Sequence, residues 1–186
     1  MSNYLNIYTV SLFGHRYIDD VAAVEDKLDP IIENLLKNHE YVEFLIGRNG
    51  EFDRIAASTI RKVRRHLEHE DCSLILILPY VTAEYENNEE YFHQYYDDVE
   101  ICYESSNSHY KAAIGIRNKY MVDRSDLVIC YVIHNSGGAV KSQVKCTTFR
   151  QKMYKQSFAT KCTSQCVMDF LCDRRYDSPV MFMISQ

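Results

Sequence analysis

Strand-like and helix-like segments alternate along the whole chain, which predicts an α/β protein built on a mostly parallel central sheet. Three observations carry this prediction. Ser73 to Leu78 (SLILIL) and Leu127 to Ile133 are continuous apolar runs, the pattern of strands covered by helices on both faces. Between such runs, apolar residues recur at helical spacing. Three strand-like segments also lead into glycine-bearing loops, Gly14–Arg16, Gly47–Asp53 and Asn135–Gly138, at the strand ends where open α/β sheets bind ligands.

The first strand is read over Leu5 to Phe13 and ends at Gly14-His15-Arg16. A glycine there lets backbone approach a ligand closely, or serves the turn alone; both readings stay open. From Asp19 to Lys37, Val21, Val24, Leu28, Ile31, Ile32 and Leu35 mark a helix. Pro30 either kinks it or follows an Asp29 cap that starts a new one. Tyr41 to Ile46 is a second strand, and its loop feeds a helix from about Glu51 to Leu67 with Ile55, Ile60, Val63 and Leu67 inward. The exposed N–H groups at that helix start suit an anion. Arg54, Arg61, Lys62, Arg64 and Arg65 make its other faces basic, read as a solvated surface in preference to a binding patch.

Thr82 to Asp98 is acidic and tyrosine-rich, a surface helix expected to close one side of a cleft. Val99 to Tyr103 reads as a short strand and Glu104 to Ser108 as a polar connection. His109 to Met121 is a helix carrying Arg117 and Asn118 on adjacent positions. After Leu127 to Ile133, residues 134–136 lead to Gly137-Gly138 at a helix start, the best phosphate cradle in the chain. Val180 to Ile184 is the one late strand candidate.

At 186 residues, with 46% hydrophobic and 25% charged residues and no low-complexity linker, a single globular domain over 1–186 is expected. A formal charge of −5 gives no global pull toward nucleic acid or anionic membrane, so any phosphate recognition must be local. No apolar run is long enough to span a bilayer, and the first residues lack a basic-then-apolar signal; a cytoplasmic protein is expected. Of seven cysteines, Cys72, Cys102 and Cys130 lie in or beside apolar runs as small hydrophobes. Cys162, Cys166 and Cys172 match no zinc spacing, and neither a metal nor a cofactor is expected.

The set VSLFGHR (10–16), FLIGRNGEFD (44–53), RNKYMVDRSDLVICYV (117–132) and HNSGGA (134–139) resembles the YpsA-like branch of the SLOG superfamily. Relatives there include DprA, the lonely-guy phosphoribohydrolases and ligand-sensing domains of bacterial antiphage defence. The resemblance covers roughly residues 5–140 and leaves 141–186 divergent, either a helical extension or a tail. It implies a Rossmann-like three-layer sandwich with a nucleotide or nucleotide-derivative site at the carboxyl edge. Mapped onto this sequence, that site comprises Gly14, His15, Arg16, Gly47, Arg48, Asn49, Asp53, Arg117, Asn118, Ser136, Gly137 and Gly138. Arg16 and Arg48 offer forked donors to phosphate, and Asp53 an acceptor for ribose hydroxyls or a base edge. Asp123 is read as structural, anchoring its helix or pairing with Arg117 or Arg124. His15, His109 and His134 are read as loop or surface residues.

The phosphoribohydrolase branch carries PGGxGTxxE; here Ser136 stands for the Pro, Val140 for the third Gly, Lys141 for the Thr and Val144 for the Glu. The glycines survive and the acid does not. The leading expectation is therefore a binding protein, sensing a signal of the ADP-ribose type in stress or phage defence. The alternatives are an N-glycosidic-bond hydrolase using Glu51 or Asp53 as its acid, and a scaffold with a vestigial cleft. The partner expected is a nucleotide-like small molecule, neither membrane nor nucleic acid. Because many relatives of this fold self-associate, a homo-oligomer is also expected.

Overall fold

A computed structural model describes residues 5–131 and the strand at 180–184. The elements follow as β1 (Ile7–Gly14), α1 (Val21–Asn38), β2 (Tyr41–Ile46), α2 (Glu51–His66), β3 (Cys72–Leu78), α3 (Ala83–Asn87), α4 (Glu89–Tyr95), β4 (Asp98–Ile101), α5 (Tyr103–Ser106), α6 (Tyr110–Arg124), β5 (Leu127–Tyr131) and β6 (Val180–Ile184). The strands form one sheet in the order β4-β3-β2-β1-β5-β6, with every neighbouring pair parallel. This is the α/β, Rossmann-like architecture expected, and the late strand candidate takes its place beside β5 with Leu127 opposite Val180.

Strand alternation builds the layers. Val10, Leu12, Phe44, Ile46, Leu74, Leu76 and Leu78 point to one face, where they pack with α1 and α2 residues such as Leu28, Ile32, Phe52 and Ile60. Leu45, Ile75 and Ile77 point to the other, against Met121 of α6. Ser11 shares that second face and fixes α6 by hydrogen bonding: its Oγ donates to the Met121 carbonyl at 3.1 Å and lies 2.6 Å from Ser125 Oγ. Asp126 then ties β5 to β1, its Oδ2 accepting from Thr9 N–H (2.9 Å) and its own N–H bonding Thr9 O (2.8 Å).

Several local expectations are corrected. Helix α1 runs unbroken through Pro30 from an Asp20 cap that accepts from Ala23 N–H. A mid-helix proline costs about 3 kcal/mol. Val24, Leu28, Ile32, Leu35 and Leu36 are all buried on either side of it, at roughly 1.5–3 kcal/mol each, so tertiary burial wins. Asp29 does not start a new helix; its Oδ2 pairs with Lys62 on α2 at 2.7 Å. The acidic stretch is two short helices broken at Asn88, and β4 begins at Asp98. A helical turn, α5, stands where a polar connection was expected, and α6 continues to Arg124. Arg124 bonds Glu100 (2.5 Å) and Glu43 (3.5 Å).

The basic face of α2 is also more than a solvated surface. Arg61 lies over the Tyr95 ring at 4.2 Å and donates to the Tyr95 carbonyl, while Arg64 pairs with Asp97 at 2.6 Å. Two of its arginines thus clamp the tyrosine-rich segment onto the body of the fold.

Candidate functional site

The chain winds outward from β1 through β2, β3 and β4, then returns to lay β5 on the other side of β1. The reversal falls between the carboxyl ends of β1 and β5, where Gly14 stands opposite Tyr131. Ligands of open α/β sheets bind at such a point. Ser136, Gly137 and Gly138, expected there, lie outside the described residues.

The first two glycine loops meet. Helix α2 starts at Gly50, which has no side chain to cap it. The loop after β1 supplies the cap: Glu51 N–H donates to Arg16 O (2.9 Å) and Phe52 N–H to His15 O (3.4 Å). Asp53, at the third helical position, reaches back past the Gly50 cap to accept from Asn49 N–H at 2.8 Å. The Glu51 carboxylate accepts from Ile18 N–H at 2.7 Å and laces the far side of the first loop to the same helix. Two N–H groups expected to face an anion are therefore already bonded to backbone carbonyls.

Each glycine of these two loops makes room for the protein itself. A Cβ at Gly14 would sit 2.6–2.7 Å from Cδ1 and Cβ of Phe52 and nearer still to its Cγ. Phe52 is fully buried and stacks on Tyr131, ring centroids 5.7 Å apart and 4° from parallel, with the His15 ring edge-on to Tyr131 at 6.5 Å. A Cβ at Gly50 would meet Arg16 Cα at 2.8 Å. At Gly47 it would strike the Arg117 guanidinium, overlapping Nη1 and lying 3.0 Å from Cζ and Nη2. The close approach inferred from glycine is real, but at Gly14, Gly47 and Gly50 the approaching atoms belong to this chain.

Arg117 and Asn118 are both buried, 3% and 8% exposed. Arg117 reaches from α6 over the ends of β2 and β3, donating from Nη1 to Ile77 O at 3.3 Å. Its Nε and Asn118 Oδ1 have no hydrogen-bond partner among the described residues. Burial pulls the guanidinium pKa down, opposed by the negative charge of Asp53. Burial likewise pushes the Asp53 carboxyl up, against the Asn49 N–H bond and Arg117. The two form a charge pair without direct contact among the described residues.

The other expected arginines differ in availability. Arg16 is exposed on the first loop and makes no ion pair among the described residues. Arg48 is engaged: Nε and Nη2 donate to Glu84 Oε1 (3.2 and 2.8 Å), Nη1 to Tyr96 Oη (3.4 Å), and its plane covers Phe92 at 4.5 Å. Burial opposes its charge, but the Glu84 and Tyr96 bonds outweigh that and its pKa is raised. Asn49 is exposed. Sequence reading missed Glu84 as the partner of Arg48, because one acid in an acidic run carries no mark of its target. Among the described residues no cluster has metal-ligand geometry, and no helix is long and apolar enough to cross a membrane.

No family model and no curated protein matches the chain. Among solved structures it is similar to DNA processing protein A from Helicobacter pylori, described for its single-stranded DNA binding mode. The identity is 18% and the TM-score 0.45, covering 66% of this chain and 53% of that one. The chain thus spans about half the length of that structure, and the similarity, to a SLOG-domain protein, is distant.

Proposed function

We propose that this chain is a nucleotide-derivative binding module of the SLOG type, YpsA-like branch, with its site at the carboxyl edge beside the β1–β5 reversal. One observation carries the reading. A buried arginine, Arg117, sits at the ends of β2 and β3; its Nε and the Oδ1 of the next residue, Asn118, have no hydrogen-bond partner among the described residues. A buried cation without a contacting carboxylate is costly to fold around unless something anionic completes it. A phosphate- or pyrophosphate-bearing ligand meets that need, and Arg16 offers an exposed second cation on the neighbouring loop. Asp53 then serves as the acceptor for a ribose hydroxyl, and Ser136, Gly137 and Gly138 as the phosphate cradle.

The test is thermal denaturation against AMP, ADP, ADP-ribose and NAD. A ligand at one hundred times its dissociation constant adds about 2.7 kcal/mol. For a chain of this size that is a rise of roughly 5–10 °C in Tm. Arg16→Ala, at an exposed position, should reduce the rise without altering the unliganded Tm. Arg117→Met should remove it, read against that variant's own unliganded Tm, since the change also strips the Ile77 carbonyl of its donor and Asp53 of a nearby positive charge. No shift with any of the four ligands refutes the reading.

A hydrolase remains the second reading, on Asp53 at the same edge: burial raises the pKa of its carboxyl, the direction a general acid needs. Release of free base that Asp53→Asn abolishes would establish it. The Asn49 bond to Asp53 argues for a capping role instead.

A further inference from the structure

Helix α3 buries none of its five residues. Its Thr82 cap and the Tyr85 bonds to Glu89 and His93 all stay within residues 82–93. Tyr85 also packs edge-on to Phe92 at 5.4 Å. Among the described residues, the ion pair of Glu84 with Arg48 joins α3 to the end of β2. Arg48 follows Gly47 at the carboxyl end of β2, the edge where the proposed ligand site lies. The Arg48 side chain is 22% exposed and lies over the Phe92 ring, while Glu84 is 59% exposed.

We infer that Glu84 is a specificity determinant of that site: an internal counter-ion that holds Arg48 until a phosphate-bearing ligand replaces it. This rests on the nucleotide reading above and adds the condition for entry. A carboxylate offers Arg48 one full charge and, in this geometry, a single oxygen taking both Nε and Nη2. A phosphate brings up to two charges and three oxygens to the same guanidinium fork, so it wins the exchange where a neutral nucleoside does not. Exchange releases Glu84, and α3 loses the contact that ties it to β2. Tyr96 and Phe92 keep Arg48 in place throughout, because both lie in or beside α4.

The experiment compares wild type, Glu84→Gln, Arg48→Ala and the double variant, with ADP-ribose, ADP and adenosine as probes in calorimetric titrations. An exposed ion pair contributes up to about 1 kcal/mol, so Glu84→Gln should tighten ADP-ribose and ADP binding about two- to five-fold. Adenosine should be unaffected, and the gain should vanish in the Arg48→Ala background. Hydrogen exchange reads the same event on the chain: in wild type, ADP-ribose should speed exchange at Glu86 and Asn88 N–H, which bond Thr82 O and Tyr85 O. Glu84→Gln should speed it without ligand. If ADP-ribose binds wild type and Glu84→Gln equally, or exchange in α3 is unchanged, the counter-ion role fails and the nucleotide reading stands. If no probe binds any of the four proteins, both fall.

Discussion

Replacing Gly14 by alanine separates two reasons for a glycine at the end of β1. If it is there for Phe52, the added methyl overlaps a ring that is fully buried and stacked on Tyr131. Ordinary carbon–carbon contact is about 3.5 Å. From 2.6–2.7 Å at Cδ1 and Cβ, the ring must retreat by roughly 1 Å, and Tyr131 behind it is 1% exposed. Overpacking of that kind costs about 1–3 kcal/mol, and the lack of slack places Gly14→Ala near the upper end. Urea denaturation should show a lower midpoint at unchanged slope, and Tm should fall by roughly 6–12 °C. In a Phe52→Leu background the smaller side chain can yield, so the two changes should couple by about 1–3 kcal/mol. A loss under about 0.5 kcal/mol, or one that Phe52→Leu leaves unaltered, refutes the packing account. Loss of nucleotide binding with stability intact would return Gly14 to the ligand.

Asp126→Ala leaves the Thr9 N–H at the β1–β5 seam without its 2.9 Å acceptor and should cost about 1–3 kcal/mol, with Asp126→Asn recovering most of it in urea midpoints. His39 stacks on Tyr8 at 3.7 Å, and burial holds its pKa below the usual value, partly offset by Asp126. The unfolded chain therefore takes up this proton first as pH falls through about 6.5, so stability drops until the native value is passed. His39→Gln should flatten that part of the wild-type curve between pH 7.5 and 5; an unchanged difference curve would refute the assignment. Arg64→Ala strips Asp97 of its 2.6 Å partner while Leu74 N–H still bonds it at 2.7 Å. A loss of about 0.5–1.5 kcal/mol is expected, falling as salt is raised.

The strands were legible because apolar runs report burial on two faces, whatever the partner. Tyr41–Ile46 was read at its observed bounds, β3 within one residue, and β5 at its observed start, Leu127. The first helix was legible across Pro30, where burial on both sides removes the fresh start at Asp29 that the local signals left open; the break at Asn88 was concealed by a polar run. The candidate site was legible only in part. Arg117 and Asn118 were expected to line the cleft; that both are buried, adjacent on one helix, was not legible from their polar side chains. That Arg48 is held by Glu84, 36 positions away, was not legible, because an ion pair leaves no trace in the sequence near either partner.

By itself the sequence determined the class of fold, the parallel strands and the strand-end loops after β1 and β2, because these follow from local periodicity and from residues that lack a Cβ. Only the tertiary structure decided what fills the space each glycine leaves. Phe52 takes it at Gly14, Arg117 at Gly47 and the Arg16 backbone at Gly50. A missing methyl says that something comes close; which atoms come is settled by how distant segments pack, and that is a property of the whole sheet edge.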